Sequence, residues 1–334
     1  MIIPPLRVAV IGAGEIAQRG HLPGYVKAGA QVVALCDNTR PELESVAAQY
    51  QITRLYRDYH QMLADGGFEA VSVCTPPYLH SEMAVECARH GFHVLVEKPM
   101  ALTLEQCDQM IAAAKTAGVR LMVSQNQRFM AQHRKAKEIH DSGVLGELYL
   151  VHSVFGHGGP ENWTPTYQWY FTPLMAGLGV CADLGIHKID LVRWITGQEV
   201  AWISAFNHTF EKPTSLEDTA VMSLQLSGGT LATIQITWAY HPDWQNSLVL
   251  HGERGAIYVP TEASEPVRLL SDKEALYPCP TDDPSGWFGS LKAFVSAVQN
   301  DKPVPVPGRE GRASMAAILA ASQSAAERTV VRPA

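Results

Sequence analysis

Five apolar runs rich in β-branched residues punctuate the chain from Arg7 to Phe129: Val8-Ala9-Val10-Ile11, Val32-Val33-Ala34-Leu35, Ala70-Val71-Ser72-Val73, Val94-Leu95-Val96 and Leu121-Met122-Val123. They are continuous rather than alternating, and helix-like segments separate them. Strands of that kind belong to a parallel sheet covered on both faces. Thr103-Leu104-Glu105-Gln106 has the form of a capping box, and Gly118 closes the same predicted helix. The pattern predicts a doubly wound α/β domain over residues 1–128.

Beyond Phe129 the rhythm shifts toward period two. The runs "ELYLVHSVFG", "AVMSLQLSGGTLATIQITWAY" and "NSLVLHGERGAIYV" are joined by turns at Gly228-Gly229 and Gly252 to Gly255. Antiparallel strands with one exposed or partner-covered face are predicted. Helices are predicted around Asp183 to Thr196 and Trp287 to Gln299. A last one, Gly311 to Glu327, follows the proline-rich connector Pro303 to Pro307. Residues 129–334 therefore form the second expected domain.

Composition narrows the class. The chain has 334 residues, 46% of them apolar, and can bury a large core. It has no apolar run approaching the roughly 18 to 20 residues that span a bilayer, and its start lacks signal-peptide features, so a cytoplasmic protein with no membrane partner is expected. Six cysteines stand singly, without a C-x-x-C pair, and read as reduced core residues. A net charge of −7 without a basic stripe argues against nucleic acid and leaves a small molecule as the expected partner. His133, His140, His152 and His157 are not spaced as metal ligands, so they read as polar surface or loop residues and no metal is expected.

Candidate chemistry begins at "VAVIGAGEIAQ", which sets Gly12, Gly14 and Ala17 in the pattern G-x-G-x-x-A between the first strand and a helix. The first glycine makes the turn, the second lets backbone approach a pyrophosphate, and the small third residue lets helix and strand pack. Asp37 ends the second strand, where a carboxylate accepts from ribose hydroxyls. It favours NAD over NADP, while the nearby Arg40 keeps NADP open. Ligands of such sheets lie beyond the carboxyl ends of the strands. There stand Thr75-Pro76-Pro77 with His80, Glu97-Lys98-Pro99, and Gln125-Asn126-Gln127-Arg128. The candidate cofactor contacts are Gly12, Gly14, Glu15, Ile16, Asp37, Asn38, Thr75, Pro76, His80, Glu97, Lys98 and Asn126.

The segments "VAVIGAGEIA", "CTPPYLHSEMAVECARHGFHVLVEKPMALTLEQC" and "CADLGIHKIDLVRWITG" resemble the Gfo/Idh/MocA family, the glucose-fructose oxidoreductase and inositol dehydrogenase group. The resemblance runs end to end. It implies a Rossmann domain, a C-terminal α+β domain with a large, open, mostly antiparallel sheet, and NAD(P)-dependent redox chemistry on sugars, cyclitols or related polyols. The family's catalytic lysine falls on Lys98, and its acid and histidine on Asp183 and His187. Independently, Asp183 and His187 are four apart, as residues on one helical face are, with Asp190 one turn further and Leu184, Leu191 and Ile195 forming an apolar stripe.

The expected reaction removes a hydride from a secondary alcohol. His187 would accept the hydroxyl proton, an imidazole having an ordinary pKa of roughly 6.5. Asp183 would orient the imidazole or hold a neighbouring hydroxyl, and Lys98 would stabilise the charge developing on the reacting oxygen. Glu97 would anchor the nicotinamide ribose or Lys98. Substrate contacts are expected from Lys98, Arg128, Trp163, Asp183, His187 and Tyr240, with Trp169 and His157 as further candidates. Two other classes stay open: an enzyme that keeps NAD bound and reacts through a keto intermediate without net redox change, and a non-catalytic sensor. An exposed sheet face makes a homodimer or homotetramer the expected assembly.

Overall fold

A computed structural model describes residues 4–162, 164, 168–241 and 244–334, the side chains at positions 40–42 excepted. Two compact units compose it: Met1–Asn126 with Trp287–Arg312, and Gln127–Gly286 with Ala313–Ala334. The sequence pattern alone assigns everything after position 128 to the second domain, whereas Trp287–Arg312 belongs to the first unit.

The first unit is a six-stranded parallel sheet of β1 (Arg7–Ile11), β2 (Gln31–Cys36), β3 (Arg54–Tyr56), β4 (Ala70–Val73), β5 (His93–Val96) and β6 (Leu121–Val123), in the order β3-β2-β1-β4-β5-β6. Every residue of β4 and β6 is buried, as a strand covered on both faces requires. Strand order reverses at β1 and β4, which is where such sheets bind dinucleotides. The five predicted runs are five of these strands. The sixth, β3, is a three-residue edge strand with only Tyr56 buried, too short to print a hydrophobic signature.

The capping box forms with a displacement. Thr103 Oγ1 accepts from Gln106 N at 3.2 Å, while Gln106 Oε1 accepts from Leu102 N rather than from Thr103 N. Gly118 ends this helix, Leu104–Ala117, with φ +68°.

Residues 287–312 join this unit through close packing. A Cβ built on Gly20 would lie 3.2 Å from the Trp287 ring, and one on Gly24 would lie 3.0 Å from Leu291. The helix Trp287–Gln299 thus seats on two glycines of the first helical segment. The proline-rich connector lines the β6 edge, where Val123 N donates to Val306 O at 2.9 Å. Prolines there deny the edge further pairing.

The second unit is built on an eight-stranded sheet of β7 (Leu148–Gly156), β8 (Val200–His208), β9 (Thr219–Leu226), β10 (Leu231–Thr237), β11 (Gln245–Gly252), β12 (Gly255–Val259), β13 (Val267–Leu270) and β14 (Glu274–Tyr277). Its order is β14-β13-β12-β11-β7-β10-β9-β8. Only the β7 and β10 pair is parallel. Burial alternates strictly along β9, as period two predicts. One face carries exposed Trp202, Phe206, Val221 and Leu231.

The helix Ile186–Thr196 is buried along almost its whole length, Trp194 and Thr196 excepted, and not on one stripe as its sequence implied. Its approach to the sheet depends on Gly185, whose added Cβ would meet Ile236 at 2.9 Å and Ile318 at 3.1 Å. Burial on all sides forces its charges to pair internally. Arg128 Nε and Nη2 donate to the two oxygens of Asp190 at 2.6 and 2.7 Å. Arg193 donates to Glu199 at 2.6 and 2.8 Å and to Ser314 Oγ at 3.0 Å.

Replacing Asp190 by Ala would leave the Arg128 guanidinium buried without its counter-charge, at an expected cost of about 3–5 kcal/mol. The double variant Arg128→Leu/Asp190→Leu is expected to recover much of that loss. Urea unfolding of the three proteins checks both statements.

Candidate active site

In the first unit the glycine turn has the geometry its pattern implies. Gly12 has φ +97°, and an added Cβ would stand 2.7 Å from Cys74 O, so both backbone angle and space exclude a side chain. Gly14 differs. Its φ is not left-handed, and an added Cβ meets no heavy atom within 4 Å. Among the described residues nothing requires glycine there, whereas a pyrophosphate against the backbone would. Ala17 is fully buried, as close helix-strand packing needs.

Asp37 is aimed at this turn. Its Oδ2 accepts from Ala13 N and its Oδ1 from Thr39 N, both at 2.7 Å, leaving lone pairs for hydroxyls. Glu15, at the helix start, pairs with Arg19; Ile16 is half-buried beside it and Asn38 is exposed. The Arg40 side chain lies outside the described residues. This cradle fits a dinucleotide: a turn, a gap at Gly14 and a ribose-height carboxylate.

At the end of β5, Glu97 is 6% exposed and accepts from His21 Nε2 at 2.8 Å. Its other oxygen accepts from Lys98 N at 3.2 Å. Burial alone would push the Glu97 carboxyl up, but the hydrogen bond and charge of His21, with the Ser124 hydroxyl and the charge of Lys98 adding to them, hold it below the usual carboxylate range. The Lys98–Pro99 peptide is cis, and the Lys98 side chain is half-buried. Thr75, Pro76 and Asn126 are also half-buried.

His80 has a different place from the one expected. It is completely buried, its ring nitrogens 2.7 Å from Thr75 O and 2.9 Å from Pro99 O. Burial pushes its pKa down. It fastens the strand-end turns of β4 and β5 to each other rather than facing a ligand.

In the second unit Asp183 stands in a π-helical turn, Cys181–Gly185, that leads into the helix Ile186–Thr196. π-turns concentrate at functional sites. The start of this turn is held by Glu217, whose Oε1 accepts from Gly179 N at 2.9 Å and Cys181 N at 3.2 Å. Burial pushes the Glu217 carboxyl up against those bonds. Trp238, fully buried just after β10, donates its indole N–H to Asp183 Oδ2 at 2.9 Å.

His187 is 6% exposed, its ring centroid 6.1 Å from that of Phe155. The next residue, Lys188, is wholly buried and donates to Asn246 Oδ1 at 2.5 Å and Ser247 O at 3.3 Å. Burial pushes its pKa down to about 7. His187 and Lys188 both border the Phe155 ring.

Among the expected substrate contacts, half-buried Tyr240 donates its hydroxyl to Gln245 Oε1 at 2.7 Å. His157 Nδ1 accepts from Gly159 N at 3.0 Å, which shapes its loop, and Trp169 stacks on Tyr170 with centroids 3.7 Å apart. Trp163 lies outside the described residues. Arg128 takes another role, since its guanidinium is buried and committed to Asp190. His133 is likewise no surface residue: it is 1% exposed, Nδ1 donates to Gln127 O at 2.9 Å, and burial pulls its pKa to about 3.

Sequence reasoning missed Trp238, Glu217, Lys188 and His21. Trp238 carried a faint signal as an indole at a strand end, where its N–H must find a partner. The others are ordinary charged residues until the fold encloses them.

A family model described as an oxidoreductase family with an NAD-binding Rossmann fold matches residues 6–125, and the model of the same family's C-terminal domain matches residues 133–258. Myo-inositol 2-dehydrogenase of Thermotoga maritima is 26% identical, with 98% of each chain covered. D-glucoside 3-dehydrogenase of Escherichia coli is 27% identical, over 98% of this chain and 97% of its own. Among solved structures, the aldose-aldose oxidoreductase of Caulobacter crescentus, crystallised with glycerol, superposes with a TM-score of 0.88 at 26% identity, covering 98% of this chain and 99% of that one.

The two glycines separate packing from ligand binding. Gly12→Ala is expected to lower stability by more than about 2 kcal/mol, through strain and the clash with Cys74 O. Gly14→Ala is expected to stay within about 0.5 kcal/mol of the parent while NADH affinity falls by at least about tenfold. Thermal melts and NADH fluorescence titration measure the pair.

Proposed function

The chain belongs to the Gfo/Idh/MocA oxidoreductase family, and from that membership we propose that it is an NAD-dependent dehydrogenase acting on a secondary hydroxyl of a sugar, cyclitol or related polyol. The observation that carries the reading is a set of parts, each within its own unit. The chain combines an open glycine cradle at Gly14, a lysine on a buried carboxylate at the end of β5, and an acid-histidine pair on a buried helix. Relatives named for inositol and glucoside oxidation support the substrate class.

In this proposal the glycine turn and Asp37 hold the dinucleotide, with Glu15, Ile16, Asn38, Thr75, Pro76, Glu97 and Asn126 around it. When bound, the nicotinamide supplies the hydride acceptor. The protein handles the proton and the charge. His187 takes the hydroxyl proton, Lys98 donates to the same oxygen as its charge develops, and Asp183, held by Trp238, fixes a substrate hydroxyl or the imidazole. Tyr240, already bonded to Gln245, adds a hydroxyl to the substrate's surroundings. Asp37 favours NAD, since a carboxylate there repels a 2′-phosphate.

We place the protein in the cytoplasm, an assignment supported by six unpaired cysteines. Among the described residues no helix is long and apolar enough to cross a membrane. The exposed face with Trp202, Phe206, Val221 and Leu231 supports a homodimer or homotetramer. Sedimentation velocity of the parent and of Phe206→Lys/Leu231→Lys reads this: a monomeric parent would refute it, and dissociation of the variant is the expected result.

A screen of NADH production over inositols, aldoses, sugar acids and anhydrosugars tests the reaction. Lys98→Met and His187→Ala are each expected to lower kcat by about 100-fold or more, with NADH affinity retained. Turnover unchanged in both variants would remove them from the chemistry. Copurified NAD without net NADH formation would move the reading to redox-neutral catalysis.

A further inference from the structure

A second line of buried polar groups runs beneath the end of β5. Tyr25 OH lies 2.6 Å from Ser72 Oγ, Ser72 Oγ lies 3.0 Å from His21 Nδ1, and His21 Nε2 lies 2.8 Å from Glu97 Oε1. Tyr25, Ser72 and His21 are wholly buried and Glu97 nearly so. The directions of these bonds follow from the partners. A carboxylate only accepts, so Nε2 carries the proton toward Glu97, and Nδ1 takes the Ser72 hydroxyl, which in turn takes the Tyr25 hydroxyl. Each hydrogen along the line then points toward Glu97.

Four elements supply the line, Tyr25 coming from the helix Leu22–Lys27. His21 ends a π-helical turn, Ala17–His21, whose wider coil sits where the phosphate-binding helix passes the sheet; Ser72 lies on β4 and Glu97 follows β5. No member reaches the surface, so none serves as a nucleophile or a proton exit. The free end of the line is Glu97 Oε2, and what it holds is the backbone N–H of Lys98 at 3.2 Å.

We propose that His21 is the positioning residue for Lys98: it fixes the Glu97 carboxylate, and that carboxylate fixes the main chain from which the ammonium is presented. The inference rests on Lys98 being the donor to the reacting oxygen. Groups facing Glu97 are His21 from the π-turn, Ser124 after β6, Lys98 on its own segment, His80 from the helix Pro77–Arg89, and Cys74 after β4. Burial keeps the Cys74 thiol well above its ordinary range and pushes His80 down. His21 therefore makes the largest of the contributions that outweigh the carboxylate's burial, ahead of the Ser124 hydroxyl and the charge of Lys98.

The test compares His21→Ala, His21→Gln and the parent. His21→Ala is expected to lose kcat by about 100-fold, the scale of a misplaced catalytic group, with NADH affinity within about threefold of the parent. Added imidazole is expected to restore part of it. His21→Gln keeps an N–H toward Glu97 and is expected to retain most of the turnover. A third readout needs no substrate. In the parent Glu97 has a folded pKa below its unfolded value, so its stabilisation is present above the unfolded pKa and is lost as pH falls through the folded one. In His21→Ala, burial without its partner raises that pKa, so stability is lost as pH rises instead. The gap in melting temperature between parent and variant is therefore expected to narrow from pH 7 to pH 5.

Turnover of His21→Ala equal to the parent's, or a melting gap independent of pH, would overturn the inference. If His21→Ala does not fold, His21→Gln decides: turnover lost despite a folded variant overturns it, and turnover kept supports it. A parent without dehydrogenase activity defeats the functional reading instead, while the pH-dependent gap still reports on the pair.

Discussion

A carboxylate taken out of water must be met by donors or lose its charge, and most of what is distinctive in this molecule answers that requirement. Glu97 is met by His21, Asp183 by the Trp238 indole, Glu217 by two backbone N–H groups and Asp190 by Arg128. Each pairing ties a strand end or turn to another element. Within the first unit this holds the segment that carries Lys98, and within the second the turn and helix that carry Asp183 and His187.

Glycines make those pairings reachable. Gly185 lets the helix bearing His187 lie directly on β9 and β10, and Gly20 and Gly24 let the helix Trp287–Gln299 close on the first unit. Gly12 is demanded by backbone angle and by Cys74 O. Gly14 alone among the motif glycines meets no such demand, so its absence of a side chain points to a bound group rather than to packing.

Membership of a sugar and cyclitol oxidoreductase family and the local geometry bear on different questions. Family membership gives the dinucleotide and the redox class. The geometry says which side chains are already committed. Arg128 and His80, plausible ligand contacts by position, are spent inside the protein, while Trp238 and His21, unremarked in the sequence, stand behind the acid and the lysine.

The sequence by itself determined the parallel sheet, the glycine turn, the helix ends at Thr103 and Gly118, and the antiparallel strands of the second unit. These depend on neighbours within a few positions, where period, propensity and φ are written directly in residue order. Only the tertiary structure decided that residues 287–312 join the first unit, that the helix Ile186–Thr196 is buried on nearly all sides, and that His133 and Lys188 are interior. It also decided which partner each buried charge takes. Those pairings join distant residues, His21 and Glu97 lying 76 positions apart and Arg193 and Ser314 121, and a charged residue's fate depends on what encloses it. Enclosure is a property of the folded chain, because water leaves a side chain only when distant segments arrive together.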